Sequence, residues 1–211
     1  MKKYLLFLLV CSLGVPLGSA NAGTTSLVGD KDGFGLAGAP PVPISGTWTG
    51  FGGGFPQDNR TPGDPLFTDI WEFQQTPGGP LSSPISWVHA YSLDGVPVGA
   101  NLSINEAGMS DDRGPWDVAF NGTSLGQIGV FPGSDGETFK LLSFAVPTGL
   151  LAGSDTVMLT YLDPQLQGEG FAINFSELVI DTVPPIPAPG ALLLGALGAG
   201  VVGWLRSGRK L

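Results

Sequence analysis

The stretch GFAINFSELVID, residues 170–181, carries apolar residues at alternating positions. These residues are Phe171, Ile173 and Phe175 on one face, and Leu178 and Ile180 on the other. A two-residue period is typical of a β-strand. Because the period changes phase partway, the stretch predicts either a β-bulge near Ser176–Glu177 or a strand that is buried on both faces.

Further runs rich in aromatic and β-branched residues precede this stretch, each bounded by glycine, proline or other turn residues. They are LFTDIWEFQ (66–74), ISWVHAYSL (85–93), GANLSINEAG (99–108), WDVAFNG (116–122), TSLGQIGVF (123–131), TFKLLSFAVP (138–147) and DTVMLTYLD (155–163). In the first, Phe67, Trp71 and Phe73 fall on one face together with Asp69. Asn121-Gly122 predicts a type I′ hairpin turn. With no sustained helical period outside the two ends, residues 23–183 are predicted to form one all-β domain, a two-sheet β-sandwich.

The N-terminus has the layout of a secretory signal peptide, predicted over residues 1–22. Lys2 and Lys3 precede the apolar run Tyr4–Val10, and Ala20-Asn21-Ala22 offers small residues for cleavage. The mature chain then begins at Gly23. Because cleavage removes Cys11, the only cysteine, disulfides and cysteine-based metal or catalytic sites are excluded.

The C-terminus, residues 184–211, reads as a membrane-inserted tail. No charged residue occurs from Thr182 to Leu205. A helix over Ala188–Leu205 would be about 27 Å long, close to the roughly 30 Å hydrocarbon core of a bilayer. The cluster Arg206, Arg209 and Lys210 follows, and the positive-inside rule keeps such a cluster in the cytoplasm. The tail is therefore predicted to contain one transmembrane helix, with the domain before it exported.

This tail resembles the PEP-CTERM sorting signal of Gram-negative bacteria. The matching features are Pro187-Ala188-Pro189, the Gly/Ala/Leu helix Gly190–Leu205 and the basic cluster that follows. The resemblance implies recognition by the membrane protease exosortase, transient or stable attachment to the inner membrane, and delivery to the cell surface or the extracellular polysaccharide matrix. Ala188 stands where the family motif has glutamate. A plain membrane anchor is the alternative.

The second half of the domain resembles the back half of galactose-binding-like jelly rolls. The stretches that carry this likeness are FNGTSLGQI (120–128), LLSFAVPTGLLAGSDTVMLTYL (141–162) and GFAINFSELVI (170–180). Related modules bind sugars or serve as accessory domains, and many hold a structural calcium ion. The resemblance implies an architecture, since a fold alone does not fix a function.

The charge of the domain disfavours anionic partners. All 18 acidic residues of the chain lie between Gly23 and Val183, together with only four basic ones, Lys31, Arg60, Arg113 and Lys140. Such a surface repels nucleic acid and anionic lipid and favours divalent cations.

The turn VGDKDGFG, residues 28–35, is the best candidate site. Asp30 and Asp32 can direct two carboxylates the same way, and oxygen ligands suit calcium. We expect the first and last strands to be neighbours, so both aspartates should lie near Phe171–Ile180, with Glu177 re-aimed towards them by the suspected bulge. The sequence thus predicts a structural calcium held by Asp30, Asp32 and Glu177. A tight turn with solvated aspartates is the alternative.

Catalytic signals are few. His89, the only histidine, lies between Trp87 and Tyr91 and reads as a sheet residue, and the chain contains no Gly-x-Ser-x-Gly motif. Carboxylate pairs for glycoside hydrolysis are available in principle but form no motif. We therefore expect a non-enzymatic structural or adhesive surface protein. The alternatives are a carbohydrate-binding module for matrix polysaccharide and a secreted glycoside hydrolase.

Overall fold

The structure, a computed structural model, describes residues 22–36, 45–47, 57–73, 83–109, 115–129, 138–162, 170–184 and 189–207. These residues form eleven β-strands, one 3-10 turn and one α-helix. The strands are β1 (Ala22–Gly29), β2 (Ser45–Thr47), β3 (Gln57–Asp58), β4 (Ile70–Phe73), β5 (Ile85–Ala90), β6 (Val96–Ala107), β7 (Trp116–Phe120), β8 (Thr123–Ile128), β9 (Thr138–Ala145), β10 (Ser154–Tyr161) and β11 (Gly170–Val183). The 3-10 turn is Thr148–Leu150, and α1 is Pro189–Ser207. The all-β prediction is confirmed. The predicted signal peptide lies outside the described residues, except for Ala22.

The strands form two antiparallel sheets. The larger, seven-stranded sheet has the order β2-β9-β6-β11-β4-β3, with β1 also paired to β11. The smaller sheet has the order β5-β10-β7-β8. Most strands that are neighbours in a sheet are distant in sequence. Each sheet therefore forms mainly by long-range pairing.

Strand β11 organises the larger sheet. It pairs with β6 along one edge, while its other edge is shared between β4, at Gly170 and Phe171, and β1, from Phe175 onwards. The register with β6 shifts between Ile173 and Phe175. This is the phase change that the sequence predicted, placed at Asn174 and not at Ser176–Glu177. The pairing of β1 with β11 confirms that the first and last strands are neighbours.

The main hydrophobic core lies between the two sheets. On β11 the bulge brings residues from both halves of the strand to this core, which explains the change of apolar phase. On β5, buried and exposed residues alternate strictly. Phe67 stacks on Trp87 with ring centroids 4.8 Å apart. Core residues from the larger sheet include Leu102, Ile104, Phe171, Ile173, Leu178 and Ile180, and those from the smaller sheet include Ile85, Trp87, Val118, Phe120, Val157 and Leu159.

A second, smaller cluster packs on the opposite face of the larger sheet. It consists of Phe34, Trp71, Ala107, Phe139 and Ala172. Ala172 belongs to it because it alternates with core residues along β11. Phe34 comes from the turn after β1, so this cluster fixes that turn against the sheet.

The chain from Leu66 to Asp69 corrects the sequence prediction. The predicted strand begins only at Ile70, and the preceding residues form a turn in which the Thr68 amide donates to the Pro65 carbonyl. Asp69, directly before β4, has a φ of 55°. This value lies in the left-handed region and is incompatible with an extended strand. As a result Phe67 joins the main core and Trp71 joins the second cluster, instead of sharing one face.

The predicted hairpin turn is confirmed. Asn121 and Gly122 join β7 to β8 with φ values of 49° and 77°. Positive φ at both central positions is the signature of a type I′ turn.

Helix α1 occupies most of the predicted tail. Of the sorting-motif residues, Pro189 and Arg206 lie in α1, while Pro187, Ala188, Arg209 and Lys210 lie outside the described residues. Among the described residues, no helix is both long enough and apolar enough to cross a membrane.

Candidate metal centre

Three aspartates from two separate segments converge beside β11. Asp30 directly follows β1, whereas Asp64 and Asp69 belong to the connection between β3 and β4. One carboxylate oxygen from each lies within 4.8 Å of those of the other two. The group combines two half-buried carboxylates with one, that of Asp69, that is fully buried.

Asp69 is the unusual member. Its exposed fraction is 0%, and neither carboxylate oxygen has a hydrogen-bond partner among the described residues. Burial, together with the charges of Asp32, Asp30, Asp64 and Asp58, raises its pKa to about 8. A carboxyl group in this position is stable either as the neutral, protonated acid or as a carboxylate whose charge a bound cation compensates.

The backbone on both sides holds Asp69 in place. Its amide donates to the carbonyl of Ile173 on β11 at 2.8 Å, and its own carbonyl accepts from the amide of Asn59 at 2.9 Å. These two bonds hold the backbone of Asp69 on both sides at its positive φ. The buried carboxylate is therefore a fixed feature of the fold.

Asp64 is oriented by its own turn. One of its oxygens, Oδ2, accepts from the Thr61 amide at 2.5 Å and from the Thr61 hydroxyl at 2.8 Å. Asp64 also lines an open, polar depression of about 540 Å³, together with Asp58, Arg60, Thr61, Pro62 and Gly63. Asp64 is therefore the member of the three-aspartate group that faces this depression.

The turn after β1 supplies Asp30. Its Oδ1 accepts from the Asp32 amide at 3.2 Å, and Asp32 Oδ1 accepts from the Gly35 amide at 2.9 Å. Burial, followed by the hydrogen bond and charge of Asp32, raises the pKa of Asp30. The Phe34 amide donates to the side chain of Asn174 at 3.2 Å, so the turn is anchored on the β11 bulge.

The two nearby basic side chains are already engaged. Lys31 Nζ lies 2.7 Å from Glu177 Oε1, and Arg60 pairs through two nitrogens with Asp58, at 2.5 and 2.9 Å. The pairing with Arg60 lowers the pKa of Asp58. Both basic side chains are thus bound to carboxylates outside the three-aspartate group, although the charge of Arg60 also acts on Asp64.

The structure places the predicted ligands in different surroundings. Asp30 is in the converging group, Asp32 lies in the same turn with one oxygen bound to a backbone amide, and Glu177 faces Lys31. Sequence reasoning missed Asp64 and Asp69, which lie more than 30 residues further along the chain. The segment PGDPLFTD, with two aspartates around a proline-rich turn, was the signal available for them.

His89 is sealed inside the domain. Its exposed fraction is 0%, its Nδ1 lies 3.1 Å from the Ser26 hydroxyl, and its Nε2 lies 2.9 Å from the Ser176 hydroxyl. Since His89 belongs to β5 and the two serines to β1 and β11, the imidazole links the two sheets. Burial lowers its pKa to about 4, so the ring is neutral at pH 7.

The chain matches no protein-family model and no curated protein sequence. Solved structures give low-scoring similarities. The wild-type glycoside hydrolase BuGH86 in complex with neoagarooctaose has a TM-score of 0.37 at 12% identity, over 46% of this chain and 16% of that one. The family 86 β-porphyranase BpGH86A from the human gut bacterium Bacteroides plebeius has 0.35 at 20% identity, over 49% and 18%. Dimeric latent PorU from Porphyromonas gingivalis has 0.42 at 10% identity, over 77% and 13%.

Proposed function

We propose that this chain is an exported, non-enzymatic protein of the cell surface or extracellular matrix of a Gram-negative bacterium. Its sandwich, of the galactose-binding-like jelly-roll kind, serves a structural or adhesive role. The observation that carries the proposal is the burial of the groups best suited to acid–base chemistry. The imidazole of His89 and the carboxylate of Asp69 are both 0% exposed, so neither can meet a substrate in this conformation.

The two ends of the chain support export. The predicted signal peptide at 1–22 would direct secretion. The tail, with Pro187-Ala188-Pro189 and the basic cluster Arg206, Arg209 and Lys210, would pass the protein to an exosortase at the inner membrane.

The distribution of aromatic side chains favours a structural role over sugar binding. Sugar-binding modules commonly present aromatic rings to solvent. Between residues 22 and 184, no aromatic side chain that the structure describes is exposed, and Trp71, Trp87 and Trp116 are all buried. A carbohydrate-binding module is the second candidate, favoured by the open polar depression beside Asp64.

Sorting is tested by reversing the charge of the tail. In a Gram-negative host with its own exosortase, the full chain carrying Arg206→Glu, Arg209→Glu and Lys210→Glu should accumulate unprocessed and fail to reach the surface fraction, because the positive-inside signal is lost. Asp94→Lys, a charge reversal at an exposed residue far from the tail in sequence, should be sorted like the parent. A triple variant that fractionates like the parent would contradict the proposal.

Function is tested on the purified full chain in mild detergent. A glycan array and a panel of fluorogenic glycosides separate the three candidates. We expect neither saturable binding nor turnover. Saturable binding would replace the proposal with a carbohydrate-binding module, and turnover that survives repurification would replace it with a glycoside hydrolase.

A further inference from the structure

We propose that Asp30, Asp64 and Asp69 form a calcium site that fastens the end of β1 to the connection between β3 and β4. The site differs from the sequence prediction in two of its three ligands. It is a property of the folded domain, so it stands or falls independently of the export and sorting proposed above.

The observation that points to a ligand is the Asp69 carboxylate. A group of acidic residues alone is common on an acidic protein. Here, however, one member is fully buried, has no hydrogen bond to either oxygen among the described residues, and has an oxygen within 4.8 Å of oxygens of two further carboxylates. Buried polar groups are almost always satisfied, and buried charges are paired or bound to metal.

A side-chain cation does not fill this role within the described part of the chain. Lys31 is the closest basic residue in sequence to Asp30, but its ammonium group is bonded to Glu177 and lies 5.0 Å from the centre of the Phe175 ring. Arg60 is held by two bonds to Asp58. Both basic side chains have their closest bonds outside the three aspartates, so the ionised form of Asp69 calls for a cation from solution.

The donor set selects the type of cation. All three ligands are carboxylate oxygens, which suit hard cations such as calcium and magnesium, whereas zinc prefers nitrogen and sulfur. His89, the only imidazole of the chain, is bound to Ser26 and Ser176.

The geometry that each ion requires favours calcium over magnesium. Calcium accepts six to eight oxygens at about 2.3–2.6 Å in a flexible arrangement, whereas magnesium demands near-ideal octahedral geometry at about 2.0–2.1 Å and retains several waters. Carboxylate oxygens that lie within 4.8 Å of one another can all contact one calcium ion. The half-buried positions of Asp30 and Asp64 leave room for water to complete six to eight ligands.

The position of the site gives the ion a structural role. β1 is held to the domain by its pairing with β11, and Asp30 is the first residue beyond that pairing. Asp69 is bonded through its amide to Ile173 of the same strand. A cation shared by Asp30, Asp64 and Asp69 would close this corner, because it neutralises the repulsion between two segments that both lie against β11.

The test is thermal unfolding of the full chain, purified in mild non-ionic detergent and stripped of metal, in calcium chloride or in chelator. With calcium about a hundredfold above its Kd, the melting temperature should rise by about 5–10 °C. Titration calorimetry should show one calcium per chain. Magnesium chloride at the same concentration should give less than half of the shift, and an equal shift would overturn the assignment to calcium.

Variants locate the site. Asp69→Asn and Asp64→Asn should each reduce the calcium-induced shift to below about 2 °C, while Asp94→Asn, which alters an exposed carboxylate outside the group, should retain it in full. If Asp69→Asn does not fold, Asp64→Asn decides, because Asp64 lies in a more exposed turn. A parent whose melting temperature is the same in calcium and chelator, or an Asp64→Asn variant that keeps the whole shift, would overturn the site.

Discussion

Lys31 Nζ lies 2.7 Å from Oε1 of Glu177 and 5.0 Å from the centre of the Phe175 ring. This contact joins the turn after β1 to β11 by an ion pair between two partly exposed side chains. Glu177 is therefore engaged by Lys31 and is not part of the group formed by Asp30, Asp64 and Asp69. This holds although the turn after β1, the connection between β3 and β4, and β11 are neighbours.

Replacement of Glu177 tests this separation. Glu177→Gln should lower the free energy of unfolding by only about 0.2–1 kcal/mol, because partly solvated ion pairs contribute little. The calcium-induced rise in melting temperature should be unchanged. Lys31→Met, which removes the other partner, is the matched variant. A Glu177→Gln protein that no longer responds to calcium would return Glu177 to the ligand set.

Asp69→Asn should have opposite effects with and without calcium. In chelator at pH 7, folding keeps a proton on Asp69, whose pKa is about 8 in the folded chain against 3.8 ordinarily. The retained proton destabilises the parent by about 4 kcal/mol at pH 7. The amide removes this term, so the variant should be the more stable protein in chelator and the less responsive one in calcium. Urea unfolding at pH 7 measures both effects.

The pH dependence of stability in chelator tests whether Asp69 is protonated in the folded chain. Since the pKa of Asp69 is raised on folding, its contribution to stability is fully present below about pH 3.8 and is lost as pH rises to about 8. The difference in unfolding free energy between Asp69→Asn and the parent should therefore grow over this range. A difference independent of pH would mean that Asp69 is ionised or solvated in the folded chain.

Local patterns in the sequence were sufficient for much of the sandwich. The alternation in β5 and the Asn121-Gly122 turn depend on interactions within one hairpin or strand, which sequence spacing records directly. The phase change in β11 predicted a bulge, but its position at Asn174 depends on which residues of β6 lie opposite.

The cation site could be predicted only in part. Asp30 was found because it follows an obvious strand, whereas Asp69 was assigned to a strand by the apolar alternation around it. Its left-handed backbone depends on hydrogen bonds to Ile173 and Asn59, one of them more than 100 residues away. Local sequence propensities carry no information about such a contact. The sequence therefore could not predict the position of Asp69.

Gly29 offers a test of the corner that does not involve charge. Its φ is +79°, and an added Cβ would lie 2.5 Å from the Asn174 carbonyl oxygen and 2.8 Å from Thr68 Cγ2. Gly29→Ala should therefore add a steric clash to the backbone strain and destabilise the domain by more than about 3 kcal/mol. The calcium response should weaken with it, because Asp30 is the next residue.

Gly122 is the matched control for Gly29. Its φ is nearly the same, +77°, but an added Cβ would have no neighbour within 4 Å. Gly122→Ala should thus show the strain alone, about 1 kcal/mol, with the calcium response intact. Equal costs for the two variants in urea unfolding would show that the turn after β1 is not packed against β11 in solution.

His89 predicts a loss of stability in mild acid. Its pKa is about 4 in the folded chain against 6.5 ordinarily, so between these values the unfolded chain binds a proton that the folded chain excludes. Stability from this group is full above about pH 6.5 and falls as pH decreases towards 4. The expected total loss is about 3 kcal/mol. Protonation would also break one of the two serine bonds if that serine only donates, and so loosen the contact between the sheets.

The comparison of the parent with His89→Gln isolates this effect. The carboxylates titrate similarly in both proteins, so the difference between their unfolding free energies reports the imidazole. The amide can still donate and accept a hydrogen bond inside the core, which makes the variant the closest uncharged substitute. From pH 7 to pH 4.5, the parent should lose about 2–3 kcal/mol more than the variant in urea unfolding. Parallel pH profiles for the two proteins would show that the folded chain admits the proton, and that His89 does not lie sealed between Ser26 and Ser176.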